Sequence, residues 1–177
     1  VQVHITTQSA NIAQGVNKDG LDQGAGDQGM MFGYACEETE SYSELKGRYF
    51  PLAAALSQRL SRRLTTVREE GILPWARPDG KSQVTVQYDS NGEIEKVHTV
   101  VIAIQHDNTL KDQFEGSEEQ ELAHVVEQIK QHVVEHSIPS ELLSAGYKLV
   151  VNGTGRFADP GGPYADAGLT GRKIIVD

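Results

Sequence analysis

The chain has 177 residues, 38% of them hydrophobic and 23% charged, with a formal net charge of −9. That composition fits a soluble globular protein with one good core, and the acidic balance argues against a general nucleic-acid binder, which needs a basic face. No apolar run reaches the length of a membrane span. The single Cys36 cannot form an internal disulfide, which suits a reducing, cytoplasmic setting.

Val1, Val3 and Ile5 alternate with Gln2 and His4, a pattern that predicts a short half-buried strand. The chain closes on Lys173-Ile174-Ile175-Val176-Asp177, which again reads as a strand. Apolar strands at both ends are unusual for a natural domain, so the expectation is a piece of a longer protein. Residues 6–20 are polar, with no helical period, and read as a long loop: a functional lid or disorder. Next comes Gly24-Ala25-Gly26-Asp27-Gln28-Gly29, followed by Met30-Met31-Phe32-Gly33-Tyr34. Glycine lets a backbone approach a ligand closely. A carboxylate among exposed N–H groups makes sense beside phosphates if Asp27 holds a cation. An Asp-capped turn is the simpler alternative.

Residues 37–45 are acidic and turn-like. From Gly47 to Glu70, Tyr49, Leu52, Leu56, Leu60, Leu64 and Val67 fall at helical spacing, with Arg59, Arg62, Arg63 and Arg68 mostly on the other side. Gly71 is the expected stop. Leu73 to Lys81 reads as a stiff loop, because Pro74 and Pro78 fix their own φ and extend the residue before them. Asp79-Gly80 would be a turn that delivers Lys81 to the next strand. Lys81 is either a plain strand-edge lysine or a cation held for a phosphate.

Residues 82–88 and 95–105 are two strands, joined by the hairpin dipeptide Asn91-Gly92; the second is apolar on both faces and so central in its sheet. Residues 117–136 predict a helix that opens on Ser117 with Gln120 three residues on. His132 and His136 have a metal-compatible spacing, but no Cys or acidic pattern completes a site. Ile138-Pro139 ends the helix, and residues 147–151 form another strand. Glycines, Arg156, Asp159, Asp166, Arg172 and Lys173 then crowd the tail. Flexible backbone with cations and carboxylates suits a polyphosphate and metal site. The fold class expected is α+β: a two-layer unit of mostly antiparallel sheet with helices on one face.

Three stretches carry a resemblance. Gly24–Gly29 with Phe32-Gly33-Tyr34, Arg77-Pro78-Asp79-Gly80-Lys81-Ser82-Gln83-Val84, and Gly161–Lys173 resemble signatures of S-adenosylmethionine synthetases. The resemblance implies a pseudo-symmetric fold of three interlaced units. Residues 38–160 would be one complete unit, and 1–37 and 161–177 pieces of the other two. It implies a homo-dimer or tetramer, ATP and L-methionine as substrates, Mg2+ and K+ as ions, and no nucleic-acid or membrane partner. Methionine sulfur attacks C5′ of ATP, and the released triphosphate is hydrolysed.

By matching position, Gln8 is a methionine contact in a mobile loop, and Asp27 lies near metal and phosphates. Asp79, Gly80 and Lys81 bind ATP, with Lys81 reaching the phosphates. Arg156 and Phe157 contact the nucleoside, Phe157 by stacking on adenine. Asp166 contacts adenosine and methionine, while Arg172 and Lys173 stabilise the departing triphosphate. An in-line displacement by neutral sulfur needs positioning and charge stabilisation, with no covalent protein nucleophile. The family's N-terminal His-Pro-Asp-Lys segment and second glycine-rich signature are not in this sequence, so the chain alone is expected to be inactive. The alternative function is a non-catalytic α/β nucleotide-binding or scaffold module.

Overall fold

The computed structural model describes residues 2–26 and 28–171. Asp27, Arg172, Lys173 and the predicted closing strand lie outside the described residues. The chain divides into two compact units, Val1–Tyr34 and Ala35–Asp177.

In the first unit, residues 2–5 are exposed and not a strand, contrary to the alternating pattern. A strand exists only as part of a ladder, and no described residue pairs with these. The polar loop expected over 6–20 contains a helix, α1 (Ala10–Val16). Ser9 O accepts from Ile12 N at 3.1 Å and Ala13 N at 2.8 Å to start it. Its length of 7 residues, with none buried, places it below what periodicity can detect. The glycine-rich stretch folds back on it: Gly24 N donates to Val16 O at 2.9 Å.

The second unit is two-layered. Helix α2 (Leu52–Glu69) starts later than its apolar spacing suggests. Tyr49 has φ +49°, and Pro51 holds an extended φ,ψ at the N-cap, so residues 47–51 cannot join the helix. Gly71, at φ +70°, lies just past its end. Leu52, Leu56, Leu60 and Val67 are fully buried along one stripe, and each such side chain contributes about 1.5–3 kcal/mol by leaving water.

That stripe packs on a three-stranded sheet in the order β1-β2-β3, made of β1 (Ala76–Tyr88), β2 (Ile94–His106) and β3 (Lys148–Val151). β1 and β2 are antiparallel, and β3 joins β2 in parallel. β2 is central, as its apolar character on both faces requires. Val100, Ile102 and Ile104 point to the helices and are buried, whereas Val101 and Ala103 on the other face are half-buried. The connection runs through a 3-10 turn (Leu110–Phe114), α3 (Glu118–Ile129), a π-helical turn (Lys130–Val134), α4 (Glu135–Ser137) and α5 (Ser140–Leu143). Ser117 Oγ accepts from Gln120 N at 3.3 Å, the N-cap expected from sequence. The single helix predicted over 117–136 is thus interrupted by the π turn. No described helix is long and apolar enough to cross a membrane.

Candidate functional site

The Arg77-Pro78-Asp79-Gly80-Lys81 motif is not the loop that its prolines suggested; it is the first part of β1. The ladder is irregular there. Ala76 pairs with His106 but Gly80 pairs with Ile104, so the β1 segment is longer than the β2 segment it faces. The bulge explains how Pro78 sits in a strand: β1 is an edge, and the bulge needs no donor from Pro78. It also turns Asp79 out of the regular alternation.

Asp79 is half-buried, and its Oδ2 accepts from Gly162 N at 2.8 Å. One hydrogen bond therefore ties the strand motif to the glycine-rich tail, two of the segments singled out from sequence. Between them lies a cavity of about 550 Å³, lined by Asp79, Gln105, Gly161, Gly162 and Asp166 among others. Asp166 ends α6 (Pro163–Asp166), the short helix that follows the glycine pair.

Gln105 carries no motif in the sequence and was missed there. It is 8% exposed. By strand alternation it shares the sheet face of Val101 and Ala103, away from α2, but the 158–161 segment covers it. Its Nε2 donates to Ala158 O at 3.1 Å, which fixes the amide orientation, because a carbonyl only accepts. A Cβ on Gly161 would lie 2.5 Å from the Gln105 amide carbon, so any side chain there would have to displace the Gln105 amide or the tail. A strand residue whose side chain is polar where its neighbours are apolar was the available clue.

Lys81 is exposed on β1, opposite Ala103, on the same sheet face as Gln105. No hydrogen bond or ion pair engages its side chain among the described residues. Gly80 and Ser82 face the other way: Ser82 Oγ donates to Ser57 O of α2 at 2.7 Å. Gln8 is exposed in the first unit, so the structure brings together Asp79 and Asp166, places Lys81 two residues along the same strand as Asp79, and leaves Gln8 in a separate unit.

Arg156 and Phe157 sit where β3 turns into the tail. Asn152 ends β3 with φ +46°; its Oδ1 accepts from Ile104 N at 2.8 Å and its Nδ2 donates to Ile104 O at 3.1 Å. The chain then reverses, and Phe157 O accepts from His106 N at 3.0 Å. The guanidinium of Arg156 is held by Glu121, with Nε to Oε2 at 2.7 Å, and its Nη2 donates to Asn108 O at 2.8 Å. His124 packs edge-on to Trp75 and against Phe114, with ring centroids 6.3 and 5.2 Å apart. Among the described residues, no group of three or more His, Cys, Asp or Glu side chains gathers to hold a metal.

Residues 22–157 match the family model described as "S-adenosylmethionine synthetase, central domain". Over its whole length the chain is 46% identical to the S-adenosylmethionine synthase of Nocardioides sp. (strain ATCC BAA-499 / JS614), and it spans 43% of that relative. The chain belongs to the S-adenosylmethionine synthetase family, and the bulged strand, the sheet and the β3 turn described above all lie within or next to its central domain.

Proposed function

We propose that this chain supplies one wall of a site that forms S-adenosylmethionine from ATP and L-methionine and hydrolyses the triphosphate released. One observation carries the reading. Asp79 and Asp166, far apart in sequence and each matched to a substrate contact, line the same cavity. The sulfur lone pair forms the new bond to C5′ while the C5′–O bond breaks and its electron pair leaves on triphosphate. Charge therefore accumulates on the leaving group, and cations must meet it. Lys81 is the described candidate, with Arg172 and Lys173, which follow Asp166 in the sequence, as further ones. Gly80 serves by lying close to the backbone of the ATP site, Arg156 and Phe157 by forming its nucleoside end, and Gln8 by contacting methionine.

Mg2+ and K+ complete the proposal. Mg2+ is commonly held by one or two carboxylates together with substrate phosphates. Asp79 and Asp166 offer such oxygens, with Asp27 as a further carboxylate in the signature; the ion would neutralise phosphate charge. We assign residues 38–160 to one unit of a three-unit fold and infer a cytoplasmic dimer or tetramer, with no nucleic-acid or membrane partner.

The test is Lys81→Ala in the protein expressed from its complete open reading frame. Lys81 is exposed and touches nothing that the core needs, so the melting temperature should move by no more than about 2 °C. Turnover should fall by about 10²-fold or more, the range for removing one preorganised charge-stabilising group. Unchanged turnover would overturn the phosphate role. Binding of ATP without any S-adenosylmethionine formed by the wild type would instead favour a non-catalytic nucleotide-binding module.

A further inference from the structure

Glu121 stands in the first turn of α3 and is 1% exposed. A carboxylate so far from water needs partners. Arg156 provides two contacts, Nε to Oε2 at 2.7 Å and Nη2 to Oε1 at 3.4 Å. His106, itself 2% exposed, brings Nδ1 to 3.7 Å from Oε1. Arg156 Nη2 also reaches Asn108 O at 2.8 Å. Two nitrogens of the guanidinium are therefore turned back onto the protein. The fork is planar and rigid, so holding two of its nitrogens fixes its plane. One residue further, the carbonyl of Phe157 accepts from His106 N. The β3 turn is thus pinned from both sides of the Arg156–Phe157 peptide: by side chain to α3 and by backbone to the end of β2.

We propose that Glu121 and Arg156 form a buried strut that positions Phe157 as the aromatic platform for the adenine base, and that Arg156 acts through Phe157 rather than by contact with the phosphates. For Arg156 to swing to a phosphate it would have to abandon a buried carboxylate, which is strongly unfavourable. The inference rests on Phe157 stacking on adenine and deepens it by dividing base from phosphate recognition. Glu121 and Arg156 are positioning residues in this scheme.

The test uses the protein from its complete open reading frame, with KM measured for ATP in S-adenosylmethionine formation and for inorganic triphosphate in its hydrolysis. Glu121→Gln and Arg156→Gln should each raise the KM for ATP about tenfold, within the range of losing a base–aromatic stack. The double variant should be no worse than the weaker single one, because both remove one strut. The KM for triphosphate, which has no base, should stay put. Glu121→Asp keeps the charge but withdraws it by one methylene, so it tests the strut in a protein that retains its ion pair chemistry; it should also raise the KM for ATP, with little loss of thermal stability. A parallel rise for ATP and triphosphate, or an Arg156→Gln effect with Glu121→Gln and Glu121→Asp at wild-type values, would overturn the strut and put Arg156 on the phosphates. Phe157→Leu separates the underlying reading. An unchanged KM for ATP in that variant sinks the stacking assignment and the strut's purpose together, whereas a raised KM there with normal Glu121 variants sinks the strut alone.

Discussion

Asn152 closes the ladder that β3 begins. Its backbone N–H still donates to Ile102 O at 2.9 Å, and its side chain amide offers one acceptor and one donor to the backbone of Ile104, so the side chain carries the pairing past the end of β3. Ile104 is 1% exposed, and its N–H and C=O have no water to fall back on. Asn152→Ala should therefore cost about 1–3 kcal/mol, the penalty for buried polar groups left unmade, measured by urea denaturation. Loss of only a few tenths would mean that the turn relaxes to admit solvent. In the sequence, residues 147–151 read as a strand and nothing singles out Asn152. That the asparagine also serves as a strand residue could not be read there, because its partner lies 48 positions away.

The turn before α2 shows how an element is begun. Pro51 cannot cap with a side chain, so Glu38 reaches across and its Oε2 accepts from Leu52 N at 2.7 Å. Next to it, Glu40 gathers the backbone N–H groups of Gly47, Arg48 and Tyr49 at 2.7, 3.1 and 2.9 Å. These bonds, first that of Tyr49 and then that of Gly47, hold the Glu40 carboxyl below its ordinary value of 4.5. A carboxyl depressed in the folded state adds stability above its unfolded value and loses it as pH falls through the folded value. Stability should therefore decline as pH drops below about 4.5, and Glu40→Gln should flatten that acid limb while lowering stability at neutral pH. An acid limb as steep in the variant, followed by circular dichroism, would remove Glu40 as a cause. The acidic run 37–45 marked a turn in the sequence; only the fold showed that two of its carboxylates bind backbone around the helix entrance.

At the scale of the whole molecule, the chain spans 43% of the relative it matches, and among the described residues its cavity is lined by two carboxylates and by no lysine or arginine. A site for ATP needs more cationic groups than the described lining supplies. Isolated residues 1–177 are accordingly expected to form no S-adenosylmethionine from ATP and methionine, and the protein from the complete open reading frame to form it. Product from the isolated chain, detected by mass spectrometry, would show that this wall suffices.

The sequence determined the α+β class, the long helix α2, the β1–β2 hairpin and the central place of β2. Each rests on a local period or a turn dipeptide, which a single chain displays without its partners. It also marked the three motifs, because glycines beside carboxylates, joined in two of the three by cations, form long ordered patterns that resemble a known family. The tertiary structure decided what those patterns do not encode. It made Arg77–Lys81 a bulged strand, since the extra length shows only against β2. It covered Gln105 with the glycine-rich tail and joined that tail to Asp79. It set Arg156 on Glu121, a partner 35 positions away. Those outcomes depend on which distant groups share a dry interior, where an unpaired charge or amide is costly and a paired one is fixed in place.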